Sequence, residues 1–190
     1  MKYEVDQVLP IPTLSGENIC LRPCRHDDLE AIKAYRQDPE NCRFIRPPES
    51  DQRIKEIVNH QSSHWQLSVG YWNVLMICQA DKVAGHVAFR IENWENWRGE
   101  LGYRLNQKFS GQGLCTAAVR IVVNYLFSEF NLHKLIACCD PRNVASYRVM
   151  EKLGMKREGH FTQHFLNDGE WTDQYQYGLL HSEWESKNRL

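Results

Sequence analysis

An α/β domain, one mixed sheet with helices on its faces, is the fold class the sequence predicts. Three observations predict it. Strand-like and helix-like segments interleave in the order β, α, α, β, β, β, α, β, α, β, β. The stretch from Glu100 to Asp140 reads strand, glycine loop, apolar helix, apolar strand, a βαβ-like unit whose crossover should be right-handed. A length of 190 residues suits one domain, or one with a small appendage, and buries a sizeable core without disulfides or metal.

Each element has a local reason. "ENICLRPCR" alternates like a strand, with Ile19, Leu21 and Pro23 on one face. "HDDLEAIKAYRQ" opens with acids, read as charge suited to a helix start rather than a carboxylate dyad, and spaces Leu29, Ile32 and Tyr35 as a helix does. "NCRFIRPPES" is a break, because two prolines cannot continue a helix. "SDQRIKEIVNHQSSHW" is helical, with Ser50 as N-cap. "YWNVLMIC" and "KVAGHVAFRIEN" flank the hairpin turn "QADK". "WENWRG" is a polar connection, and "GELGYRLN" is a short strand. Leu114, Ala117, Ala118, Ile121, Val122 and Tyr125 form one helical stripe. "HKLIACCD" is a strand of the kind buried on both faces. "NVASYRVMEKLG" is a helix closed by Gly154, and "NDG" at 167–169 turns between two late strands.

Composition narrows the function classes. A net charge of −1 gives no general attraction to nucleic acid. No stretch approaches the ~18 apolar residues of a membrane span, and the first thirty residues hold no signal-peptide core. The seven cysteines are odd in number and irregularly spaced, without a CxxC pair, so they are expected to be reduced thiols in a cytoplasmic protein. No metal is expected. His60 and His64 are four apart but have no evident third ligand, and His160 and His164, on a late strand, share that lack.

"KFSGQGLCTAAV", residues 108–119, lacks the Gly-Lys-Ser/Thr of a Walker loop, and Thr116 stands where a dinucleotide fingerprint needs its third glycine. What remains is a loop feeding a helix start, where unpaired N–H groups can hold an anion and Gly111 and Gly113 let it approach the backbone.

Lys108-x-x-Gly111-x-Gly113 follows the strand Glu100-Leu-Gly-Tyr-Arg-Leu105 and precedes an apolar helix, a buried strand, "Asn143-Val-Ala-Ser146" and "Glu151-Lys-Leu-Gly-Met155". The succession resembles the GNAT superfamily of acyl-CoA-dependent N-acetyltransferases, and within it the branch that acetylates ribosomal-protein N-termini. The resemblance implies a GNAT-like, mostly antiparallel central sheet with helices on both faces and a βαβ acyl-CoA-binding unit. It spans residues 16–182, leaving 1–15 as an N-terminal extension and 183–190 as a C-terminal tail. It implies acetyl-CoA as cosubstrate. The pyrophosphate is expected on Phe109, Ser110, Gly111, Gln112, Gly113 and Leu114, with Cys115 just behind. Lys108 stands where the family usually has Arg or Gln. The pantetheine arm is expected along Tyr103, Arg104 and Leu105, bonded by Asn143, with Ser146 near the thioester.

The resemblance also gives catalytic expectations. Glu100, opening the strand before the loop, is the expected base, helped by partial burial. The family's tyrosine, four residues before the helix-ending Gly154, is Met150 here, which cannot donate a proton, so Ser146 is the expected acid. Tyr147 is adjacent but turned by about 100°. Neutralising a lysine-type amine of pKa about 10.4 at neutral pH costs roughly 4 kcal/mol, and an α-amine of about 7.7–8.0 costs only about 1 kcal/mol. A modest base therefore suits a protein N-terminus. Arg43 and Arg46 lie in a connection that, in the family, walls the acceptor site. Trp94 and Trp97 either line the acceptor mouth or cover a dimer contact. The expected activity is acetyl transfer to a primary amine, first a protein N-terminus, ribosomal ones included. A small amine (polyamine, amino acid or aminoglycoside) and a non-catalytic acyl-CoA-binding module are the alternatives. The expected partners are the acceptor amine alone, without nucleic acid or membrane, with the chain a monomer or homodimer.

Overall fold

The computed structural model describes residues 6–62 and 64–188. Among the described residues there are ten strands: β1 Val8–Leu9, β2 Leu14–Gly16, β3 Ile19–Arg22, β4 Trp65–Gln66, β5 Asn73–Gln79, β6 Lys82–Asn93, β7 Arg98–Leu105, β8 Lys134–Cys139, β9 Lys156–Asn167 and β10 Glu170–Leu180. Six α-helices accompany them: α1 Leu29–Arg36, α2 Pro39–Cys42, α3 Asp51–Gln61, α4 Leu114–Phe130, α5 Val144–Leu153 and α6 His181–Asn188. Eight strands form one sheet in the order β2-β3-β5-β6-β7-β8-β10-β9, and β1 pairs with β4 apart from it.

Turn chemistry explains why the sheet is mostly antiparallel. Ala80 and Asp81 have φ of 44° and 62°, and Asp168 and Gly169 have 50° and 80°. Two successive left-handed residues give the tight turn that matches strand twist, so β5–β6 and β9–β10 are hairpins. Among the strand pairs of the described residues, β7 and β8, joined through α4, are the parallel one. Their pairing starts at Arg98↔Lys134 and ends at Leu101↔Ala137. Beyond that point β7 stays with β6, through Leu105↔Gly85, and β8 stays with β10, through Cys139↔Tyr175. The sheet therefore opens as a wedge between Gly102–Leu105 and Cys138–Cys139.

Both faces of the sheet are covered. On β5, Leu75 and Ile77 join the core that includes Val119, Val122, Leu126 and Phe127 of α4. Val74, Met76 and Cys78 join Ile32, Tyr35, Ile54 and Val58 of α1 and α3. A strand buried on both faces reads as a continuous apolar run, which is what β5 is.

The helix α4 departs from its expected stripe. Leu114, Ala118 and Val122 are buried as expected, but the buried face continues through Val119, Val123, Leu126, Phe127 and Phe130. Ala117 is exposed, and Ile121 and Tyr125 lie at the margin. Burying the larger side chains, at about 1.5–3 kcal/mol each, outweighs burying Ala117. Ile121 is instead pressed against Gly16 of β2, where an added Cβ would meet its Cδ1 at 2.8 Å.

Sequence patterning gave no sign of β1, β2, β4, α2 or α6. Pro39 starts α2 at a position that needs no N–H, with the Asp38 carboxylate accepting from Glu40 N at 2.9 Å. In α6, Trp184 lies 5.3 Å from the Phe127 ring and donates to Asn124 Oδ1 at 2.7 Å. Ser50 caps α3 as expected, accepting from Arg53 N at 3.2 Å, and Gly154 closes α5 with φ of 84°. On β9, Gln163 has φ of 47° where the pairing register with β10 shifts, which breaks the simple alternation along "HFTQH". The His164 ring lies 5.0 Å from that of Phe161, tilted by 36°, whereas His160 contacts Asp173 at 2.7 Å.

Candidate active site

A cavity of about 1070 Å³ occupies the wedge and extends to both sides of it. Its first wall is the glycine loop. Asn106 stops β7 by accepting from Lys108 N at 3.0 Å, which starts the short 3-10 turn Gln107–Phe109. Gly111 and Gly113 then adopt φ of 78° and 76°, and an added Cβ at either would meet nothing within 4 Å. The first helical bond runs from Ala117 N to Gly113 O at 3.0 Å. The N–H groups of Leu114, Cys115 and Thr116 therefore have no acceptor within the helix. The first turn of α4 carries no acidic residue and no side-chain cap. Open space, unpaired donors and the positive end of a 17-residue helix dipole suit an anionic diphosphate. The unpaired edge of β7 beyond Leu101 suits an amide-bearing chain leaving it.

The second wall is the start of α5. Asn143 caps this helix, its Oδ1 accepting from Ser146 N at 3.2 Å. Ser146 Oγ donates to the Tyr103 hydroxyl at 3.2 Å, and the Tyr103 O–H donates to the Ser146 carbonyl at 2.9 Å. Burial pushes the Tyr103 phenol well above its ordinary value, despite the opposing Ser146 hydrogen bond. Tyr103 therefore keeps its proton at any physiological pH. Three thiols also line the cavity. Burial raises Cys115 and Cys138 to about 12 and Cys139 to about 11, which leaves them protonated and weakly nucleophilic.

The third wall lies on the α1 face of the sheet. Along β7 the residues alternate, so Tyr103 and Leu105 pack with the α4 core while Glu100, Gly102 and Arg104 turn the other way. Glu100 accepts from Arg90 Nε at 2.7 Å, and Arg90 Nη2 stands 2.5 Å from the same oxygen, Oε2. The Arg90 guanidinium lies 4.8 Å over the Trp72 ring. An added Cβ at Gly102 would stand 3.2 Å from Trp72 Cζ3, a tight contact to which the ring would have to yield by a few tenths of an ångström. Further along, buried His86 contacts the Tyr35 hydroxyl through Nδ1 at 2.9 Å. Burial, and then the charges of Arg36, Arg104 and Arg46, hold His86 well below the ordinary histidine value, so it is neutral. Asn41 ties α2 to the end of β7, donating to Leu105 O at 2.7 Å and accepting from Gln107 N at 3.1 Å.

Of the residues expected at the cofactor, Tyr103, Arg104, Leu105, Phe109, Ser110, Gly111, Gly113, Leu114, Cys115, Asn143 and Ser146 all line this cavity, as does Glu100. Lys108 and Gln112 are exposed and outside the lining. Met150 is fully buried in the main core, which accounts for an apolar residue at that position. Arg43 and Arg46 line the cavity, whereas Trp94 and Trp97 do not. Those two rings meet edge to face at 5.8 Å, and Trp94 donates to Leu67 O. Trp72, Arg36 and His86 were missed. No local pattern marks them, because they reach the cavity from α1, β6 and the loop before β5. Among the described residues, no cluster of three metal-ligating side chains occurs, and no helix is long and apolar enough to cross a membrane.

A glycine loop on a helix start, beside parallel strands that part, suits a diphosphate-bearing ligand. The family profile described as an acetyltransferase (GNAT) domain matches residues 18–156. The chain is 30% identical over 174 residues to the uncharacterized N-acetyltransferase YnaD of Bacillus subtilis, covering 90% of this chain and 98% of that protein. It is 31% identical over 84 residues to the Escherichia coli [ribosomal protein uS5]-alanine N-acetyltransferase, covering 44% of this chain and 43% of that protein. It is 25% identical to the E. coli spermidine N(1)-acetyltransferase, covering 83% of each. The crystal structure of a GNAT-family acetyltransferase from Bacillus anthracis superposes with a TM-score of 0.81 at 28% identity, covering 90% of this chain and 100% of that one. The chain belongs to the GNAT acetyltransferases. It is an acetyl-CoA-dependent N-acetyltransferase acting on an amine.

Proposed function

We propose that the acceptor is the N-terminal α-amine of a protein. One observation carries this reading: the carboxylate on the acceptor side of the cavity, Glu100, is already engaged by Arg90 through Oε2. That leaves Oε1 to meet the acceptor, and a carboxylate is at most a modest base. It suits an α-amine, about 1 kcal/mol from neutrality at pH 7, better than an alkyl amine at roughly 4 kcal/mol. The uS5-alanine relative acts on such an amine, while the spermidine relative marks the polyamine alternative.

The residues divide the work as follows. Glu100 Oε1 takes the proton from the acceptor ammonium, directly or through water. The neutral amine attacks the thioester carbonyl, the C–N bond forms and the C–S bond breaks. The departing sulfur takes its proton from the Ser146–Tyr103 hydroxyl pair, which solvent restores. The loop Phe109–Leu114 and the cap Asn143 hold the donor. They do no bond chemistry. All seven thiols are unpaired, which agrees with a reducing cytoplasmic setting.

The test is a panel of N-terminal peptides, spermidine, free amino acids and an aminoglycoside with acetyl-CoA, read by thiol release and product mass. Turnover of peptides is expected, with Glu100→Gln slowing it at least 100-fold. Acetylation confined to small amines would overturn the protein acceptor. Thiol release with none of them would favour a binding module.

A further inference from the structure

On the acceptor side, three guanidinium groups share one carboxylate. Arg36 Nη1 is 2.7 Å from Glu49 Oε2, Arg104 Nη1 is 4.0 Å from that same oxygen, and Arg46 Nη1 is 3.8 Å from Oε1. Arg36 and Arg104 are sunk in the protein, their side chains 11% and 4% exposed. Arg36 is only partly satisfied: Nη1 bonds Glu49 and Nη2 lies 3.5 Å from His86 Nε2. Arg36 Nε is buried without a hydrogen-bond partner. Among the described residues, Arg104 Nη1 meets the weakly accepting Cys42 sulfur at 3.9 Å and the distant Glu49. His86 beside them is neutral and supplies no negative charge. The three arginines line the cavity, and Glu49 does not. A buried cation left short of partners is costly, and a second carboxylate arriving from the cavity would relieve it.

Position along the strand says what could bring it. Arg104 shares a face of β7 with Glu100, four residues away, which is about 13 Å between Cα atoms at ~3.3 Å per residue. A free α-amino acid is too short to set its amine at Glu100 and its carboxylate at Arg104. A peptide advances about 3.3–3.6 Å per residue, so a side-chain carboxylate on its second or third residue covers the span left by the two protein side chains.

Resting on the N-terminal reading above, we propose that the acceptor is a protein N-terminus with Asp or Glu at its second or third position, whose carboxylate is bound by Arg104 and Arg36. A planar guanidinium fork is well matched to a carboxylate. The same cluster repels a polycation, which sets this chain apart from a polyamine acetyltransferase.

The experiment compares kcat/KM for peptides identical except for Asp, Asn or Lys at the second and third positions, with free glutamate and spermidine alongside. The Asp peptides are expected to exceed their Asn isosteres at least tenfold, chiefly through KM, and Lys peptides to be poorer still. In Arg104→Gln the Asp-to-Asn ratio should fall towards one. As a readout that needs no variant, the N-acetylated Asp peptide should inhibit the wild-type enzyme while its Asn isostere does not. Peptides acetylated without regard to charge would overturn this inference and leave the N-terminal reading standing. Turnover of free glutamate alone would overturn the peptide source of the carboxylate. Turnover of spermidine alone would overturn both.

Discussion

Tyr103 and Ser146 are 43 positions apart in sequence and share two hydrogen bonds, of 2.9 and 3.2 Å. The serine hydroxyl is held by the phenol oxygen and the phenol by the serine carbonyl, so the two residues should behave as one unit. Replacing Tyr103 by Phe leaves the Ser146 carbonyl without its donor and Ser146 Oγ without its acceptor. We expect Tyr103→Phe and Ser146→Ala each to lower kcat roughly 10–100-fold, and the double variant to be little worse than the poorer single one, since linked groups are not additive. Steady-state turnover at saturating donor decides it. Losses that multiply in the double variant would show two independent roles. The family resemblance pointed to Ser146, which lines the cavity, but gave no sign that the Tyr103 hydroxyl is bonded to it. Counting back along a helix from Gly154 leads to Met150, and spacing within one element carries no information about a partner on a strand. Met150 is a core residue, and in the proposed mechanism Tyr103 on β7 supplies the hydroxyl it lacks.

Elements were legible where a local signal fixes the backbone. Ser50 before α3, the Ala80–Asp81 and Asp168–Gly169 turns, and Gly154 after α5 all act within a few residues. What pairs at long range was not legible. The β1–β4 ribbon is two residues per strand, too short for periodicity to register. The parting of β7 from β8 after Leu101 leaves no trace in either strand's own alternation. The loop–helix junction is the clearest meeting of local and functional demands. Gly113, the N-cap of α4, has φ of 76° and open space where a Cβ would lie. Gly113→Ala should therefore cost backbone strain alone, about 1–2 kcal/mol, lowering Tm by roughly 2–8 °C. Its methyl would stand where the donor's diphosphate is proposed to lie, so KM for acetyl-CoA should rise as well. Thermal melts with and without CoA, alongside KM, separate the two effects. A lowered Tm with unchanged KM would move the diphosphate away from this loop.

At the scale of the whole molecule, buried neutral groups limit stability at both ends of the pH range. His86 is held well below its ordinary value, first by burial and then by Arg36, Arg104 and Arg46. In the unfolded chain it titrates near 6.5. As pH falls through that value the unfolded chain binds a proton that the folded one refuses, so stability is present above about 6.5 and declines below it. One proton gives a limiting slope of about 1.4 kcal/mol per pH unit. The alkaline side involves more groups. Burial raises Cys24, Cys115 and Cys138 to about 12 and Cys139 to about 11, from an ordinary 9.0. These raised groups stabilise fully below about 9, and the contribution is lost as pH climbs towards the folded values, because the unfolded thiols release protons first. Four thiols titrating together give a limiting slope of about 5 kcal/mol per pH unit. The stability profile should thus be lopsided, shallow in acid and steep above pH 9. Urea midpoints of the reduced protein between pH 5 and 10.5 test this, and His86→Gln should flatten the acid limb while leaving the alkaline one. An alkaline limb no steeper than the acid one would mean that these thiols are more open to water than their burial in the fold implies. An acid limb unchanged by His86→Gln would assign it instead to paired carboxylates such as Asp28, where the Arg22 hydrogen bond and the Arg25 N–H outweigh burial and hold the carboxyl below its ordinary value.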